Sequence, residues 1–164
     1  MVNERETAMS FARRFLAVST AISAVVLGLG LATAGPAAAA TGTWNAYGNK
    51  NPITSSSSSW TCGTTVTVSV SVLAQTCMVK SPSGDSMQGA VIVRNNRSSI
   101  YQANASVSLF RPTGHQVMDD WDCPKTGIGA NSWSVCFGKT ITYPGSTRAE
   151  GSVNYREIPG SPMA

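Results

Sequence analysis

From Thr64 to Ala74 the chain reads TTVTVSVSVLA, with Val66, Val68, Val70 and Val72 alternating with Thr65, Thr67, Ser69 and Ser71. A period of two carried by β-branched residues predicts one half-buried β-strand. On a helix the same valines would scatter around the circumference. Ile100 to Arg111 alternates again: Tyr101, Ala103, Ala105, Val107 and Leu109 oppose Gln102, Asn104, Ser106 and Ser108. Gly89 to Arg94, GAVIVR, is apolar almost throughout, which suits a strand buried on both faces.

Shorter runs complete the set. Thr41 to Tyr47 reads as an edge strand, Thr76 to Lys80 as a short strand, and Gln116 to Cys123 as a strand with an acidic end. Trp133 to Phe137 and Lys139 to Tyr143 read as one strand with a bulge at Gly138. Ser152 to Ile158 is the last strand, and Pro159 to Ala164 a frayed tail. Turn residues separate the runs at Gly48 to Pro52, Ser81 to Asp85, Asn95 to Ser99, Pro112-Thr113-Gly114 and Pro144-Gly145. Ser55 to Ser59 reads as a flexible surface loop, and Pro124 to Ser132 as a glycine-rich loop. No segment sustains a helical period. Short strands at regular spacing predict an antiparallel β-sandwich of about seven or eight strands, with a small closed β-barrel as the alternative.

The first forty residues have another pattern. Arg13 and Arg14 precede an apolar stretch from Phe15 to Ala34, then Gly35-Pro36 and a run of alanines. Ala38-Ala39-Ala40 fits an A-x-A cleavage site, so residues 1–40 are expected to be a secretory signal peptide and 41–164 a single β domain. A membrane anchor is the competing reading of the apolar stretch; the small-residue run behind Gly35-Pro36 favours cleavage, leaving no stable anchor. A start at Met9 would remove Glu4 and Glu6 from the basic leader segment. Arg13-Arg14-Phe15-Leu16 resembles a twin-arginine signal, but Phe-Leu follows the arginines one position too closely, so the general secretory route is expected.

Export changes the reading of the cysteines. Cys62, Cys77, Cys123 and Cys136 are expected to form two disulfides, because oxidation is the resting state outside the cell. The local pairings Cys62–Cys77 and Cys123–Cys136, 15 and 13 positions apart, are preferred among the three possible. Each would stabilise the fold by about 3 kcal/mol through loop closure. If the segment from Cys62 to Cys77 never turned, its ends would lie roughly 50 Å apart. The first pairing therefore requires a chain reversal, expected near Ala74-Gln75. The exported domain carries nine basic and six acidic residues, net +3, with the basic residues scattered singly. That excludes the clustered basic and aromatic footprint of a nucleic-acid binder.

Candidate chemistry is sparse. His115 is the single histidine; a hydrolase would have to use it, with an acid from Asp119, Asp120 and Asp122, and no nucleophile-elbow pattern accompanies it. Asp120 and Asp122, at alternate positions, share one strand face and could contribute to a calcium site, although no EF-hand-type loop is present and no cofactor is otherwise implied. The same carboxylates could form a glycosidase pair, but nothing in the sequence sets their separation. Trp133, alternating with Val135 and Phe137, reads as core. Trp121, among three aspartates, reads as exposed, and Trp60 borders the serine loop. An exposed Trp beside carboxylates is a workable sugar platform, the ring stacking on an apolar sugar face while the acids accept hydroxyl protons. Trp121, Trp60, Asp120 and Asp122 are therefore the candidate ligand-binding residues.

Cys123-Pro124-Lys125-Thr126 resembles the reactive-site loop of squash-type trypsin inhibitors. That resemblance implies Lys125 as the primary specificity residue and Lys125–Thr126 as the reactive bond of a protease partner. The chain as a whole, with its alanine-heavy leader and polar Ser/Thr/Gly-rich body, resembles small secreted proteins of high-GC Gram-positive bacteria. These residues point to a secreted, non-enzymatic binding protein for an extracellular glycan, with a protease inhibitor and a small hydrolase as alternatives.

Overall fold

The computed structural model describes residues 38–113 and 115–164. The expected leader lies outside the described residues up to position 37. From Ala38 on, the chain is all β and forms two sheets packed as an open sandwich. The strands are β1 (Ala40–Thr41), β2 (Thr43–Gly48), β3 (Ser59–Cys62), β4 (Val66–Ser69), β5 (Val72–Lys80) and β6 (Ser86–Asn95). They continue with β7 (Tyr101–Phe110), β8 (Val117–Ile128), β9 (Ser132–Phe137), β10 (Ile141–Thr142), β11 (Arg148–Val153) and β12 (Arg156–Ile158). The smaller sheet has the order β1-β8-β7-β11-β12 and the larger β2-β9-β6-β5-β3, with β4 on β5 and β10 on β6. All pairs are antiparallel except β1 with β8.

Alternation does what the sequence implies. On β7, Ala103, Ala105, Val107 and Leu109 are buried between the sheets, while Gln102, Asn104, Ser106 and Ser108 point away from them. They meet Val72, Ala74, Met78, Met87, Val91 and Val93 from β5 and β6. β6 is buried on both faces, because Ala90 and Ile92 enter a second apolar cluster on the outer side of the larger sheet with Val135, Phe137, Trp60 and Trp133. Trp133 is thus half-buried in the outer cluster, not between the sheets.

Both local disulfides form. Cys62–Cys77 joins directly opposed residues of β3 and β5 within the larger sheet, Cα atoms 4.0 Å apart. Cys123–Cys136 joins β8 to β9 and so ties the two sheets together, Cα atoms 5.9 Å apart. Trp121, expected at the surface, is fully buried beside this bridge. Its register partner Val107 is an inward residue, so the same alternation that sends Asp120 and Asp122 outward sends Trp121 inward. Gly138 accommodates the indole: a Cβ there would lie inside van der Waals contact of the ring. The register on β6 also slips by one residue here, from Ala90↔Phe137 to Met87↔Ile141, at the site of the expected bulge.

Several segments differ from expectation. Thr64 to Ala74 is not one strand: the chain reverses at Val70–Ser71, where Ser71 has φ 57°, making the β4–β5 hairpin. The reversal required by Cys62–Cys77 comes earlier than Ala74-Gln75 because Ser69 and Val72 pair across the turn. Pro124 to Ser132 is mostly strand: β8 runs on to Ile128, and only Gly129 to Asn131 form the loop before β9. Ser152 to Ile158 is two strands, with a turn at Asn154–Tyr155. The tail from Pro159 is held: Ala149 N–H donates to Ser161 Oγ at 2.9 Å, Ser161 N–H donates to the Ala149 carbonyl at 2.8 Å, and Thr147 and Ala164 exchange two backbone bonds.

Two stability changes follow. Gly138→Ala should cost about 1–3 kcal/mol by overpacking against Trp121, read as a lower urea midpoint. An unchanged midpoint would show that the indole yields freely. Ser161→Ala leaves the buried Ala149 N–H without its acceptor and should cost about 1–3 kcal/mol in the same measurement.

Candidate functional site

The outer face of the smaller sheet can be read from register alone. Ser106 pairs with Asp122 and Ser152, Ser108 with Asp120 and Glu150, and Ser152 with Glu157. Directly paired residues point to the same side. Asp120 and Asp122 therefore share this face as expected, but in the company of Ser106, Ser108, Glu150, Ser152 and Glu157 rather than of Trp121. Among the described residues no three carboxylate, histidine or cysteine side chains converge in a group that could hold a metal. Trp60 stands on the outer side of the other sheet. The four candidate ligand residues are not brought together.

His115 is exposed, and its Nδ1 lies 2.6 Å from a guanidinium nitrogen of Arg148, which also pairs with Glu150. A cation, not an aspartate, faces that imidazole nitrogen. Lys125 is exposed, but Lys125–Thr126 lies within β8, opposite a register shift between Ala103 and Ala105 of β7. That bond belongs to a paired strand instead of the projecting loop that the inhibitor resemblance implied. The Trp44 indole N–H further fixes the segment by donating to the Pro124 carbonyl at 2.8 Å.

The turn between β11 and β12 presents a residue that the sequence pattern concealed. Val153 and Arg156 pair directly, so Asn154 and Tyr155 are a two-residue hairpin loop, with φ 49° and 63°. Positive φ at both central positions belongs to the hairpin turn that favours Asn-Gly. Asn154 suits its position: its Oδ1 accepts from Asn104 N–H at 3.0 Å and its Nδ2 donates to Tyr101 Oη at 2.9 Å. Tyr155 is the exception. A bulky side chain in the left-handed region costs roughly 1–2 kcal/mol, and this one is 90% exposed, so packing does not repay it. Unrepaid strain of this kind marks candidate functional positions.

Tyr155 borders two depressions on the outer face of the smaller sheet. One, of about 560 Å³, runs over Ser106, Ser108, Phe110, Glu150, Ser152 and Glu157. The other, of about 520 Å³, runs over Gln102, Asn104, Asp122, Lys125 and Asn154. Together they make a strip of hydroxyl, amide and carboxylate groups around one free aromatic ring. The strip is lined by the carboxylates Asp122, Glu150 and Glu157 against one cation, Lys125, and Arg148 pairs with Glu150, which leaves a small negative excess.

On the larger sheet, a third depression of about 510 Å³ is lined by Trp60, Tyr47, Phe137, Asn45, Gln88, Ser56, Ser58 and Lys139. Trp60 stands edge-on to Phe137, ring centroids 5.9 Å apart and planes at 60°. Its indole N–H is buried without a partner among the described residues. Comparison with protein-family models, curated proteins and solved structures finds no match to the chain.

Replacing Tyr155 tests the strain directly. Tyr155→Gly should stabilise the domain by about 1 kcal/mol, raising the melting midpoint by about 4 °C. A fall in the midpoint would mean that the ring contributes to the fold.

Proposed function

We propose that the protein is a secreted, non-enzymatic β-sandwich that binds polysaccharide across the outer face of its smaller sheet, with Tyr155 as the stacking ring. The observation that carries this reading is the exposed, strained Tyr155 between two depressions, the first of them predominantly polar. A tyrosine face covers the apolar side of a sugar ring, while hydroxyls, amides and carboxylates satisfy its hydroxyl groups. β7 is paired with β8 on one side and β11 on the other, so the centre of this face offers a ligand only side chains. That favours a glycan over a peptide, whose extended recognition draws on free strand edges. The excess of carboxylates admits neutral or amino-bearing sugars and repels polyanions. The leader-like first forty residues and the two disulfides support action outside the cell.

Titration against hydroxyethyl cellulose, glycol chitosan and alginate tests the reading. The first two should bind and alginate should not. Tyr155→Gly should weaken binding at least tenfold, about 1.4 kcal/mol, without loss of folding. Equal affinity of wild type and Tyr155→Gly, or preference for alginate, would refute it.

A further inference from the structure

We infer that the Trp60 groove is a second polysaccharide site, so that one domain holds two separate glycan chains, one on each outer face. The inference rests on the reading of the Tyr155 face as a polysaccharide site and extends it to the opposite sheet. The groove has the volume of a small-ligand site, about 510 Å³. Phe137 packs against Trp60 at 60° and helps fix its orientation, which lowers the cost of ordering a stacking platform on binding. Asn45, Ser58 and Lys139 line the same depression and supply amide, hydroxyl and ammonium groups. Aromatic rings among amide and hydroxyl groups, with no carboxylate and one lysine at the lining, suit an uncharged sugar polymer. Because Trp60 and Tyr155 belong to the outer sides of two different sheets, occupation of both joins two chains, and avidity arises within a single domain.

Latex beads coated with hydroxyethyl cellulose provide the test. Wild-type protein should bind the beads and agglutinate them. Tyr155→Gly and Trp60→Ala should each still bind, with affinity reduced at least tenfold, and should not agglutinate at any concentration. The double variant should not bind. If Trp60→Ala loses its β-sheet circular dichroism, Asn45→Ala at the exposed rim replaces it, with several-fold weaker binding expected in the Tyr155→Gly background. Agglutination by Trp60→Ala at the wild-type concentration, or complete loss of bead binding in Tyr155→Gly, would overturn the second site. Binding without agglutination that survives Tyr155→Gly but not Trp60→Ala would overturn the pairing of sites differently: it removes the Tyr155 reading and leaves the groove as the sole site.

Discussion

The clasp between the two sheets is the constraint on which the structure depends. Cys123 and Cys136 join β8 to β9, and the Trp121 indole fills the space beside them. A bulky ring and a covalent bridge can share one place only if the backbone around them is thin. Gly138 gives the ring its room, and at Gly42 a Cβ would lie 2.8 Å from the Cys123 sulfur and 2.8 Å from the Phe137 carbonyl oxygen. Gly42 is also where the chain passes from β1 in one sheet to β2 in the other. Sheet spacing, the crossing of the N-terminal segment and the burial of Trp121 are thus one packing solution.

With the inner faces fixed, the outer faces follow. Alternation lets a strand commit one side to the core and leave the other to solvent or ligand. On the smaller sheet the outer side is polar, and its cross-strand rows bring together Asp120, Ser108 and Glu150, then Asp122, Ser106, Ser152 and Glu157. On the larger sheet the outer side is apolar and is partly covered by Trp60, Ile53 and Tyr47. Cys62–Cys77 secures β3, which carries Trp60, to β5. The sandwich therefore presents two chemically different surfaces, one acidic with a single free ring and one aromatic with neutral polar groups and a lysine.

Tyr155 occupies the turn where Gly would be least strained, and the hairpin tolerates it because Asn154 is bonded on both sides and Val153 is buried. The well-made first half of the turn and the strands on either side hold the second half in place. Strain concentrated at one exposed side chain, inside an otherwise satisfied hairpin, fits a position selected for contact more than for stability.

The sequence by itself determined the all-β class, the doubly buried β6 and the shared face of Asp120 and Asp122, and it favoured the sandwich over a closed barrel and the local disulfides over the other pairings. All of these follow from local spacing: a period of two assigns faces, and short separations favour local bridges. Tertiary structure decided the rest. The Val-Ser alternation runs unbroken through the β4–β5 reversal, and Asn154–Tyr155 lacks the glycine that announces such a turn, so neither hairpin was visible. The parity of β8 was legible, but which parity faced inward was not: three aspartates around Trp121 suggested an exposed ring, whereas alternation required only that the ring and the acids part company. Register is a relation between strands far apart in the chain, and only their pairing decides which side of each strand is covered.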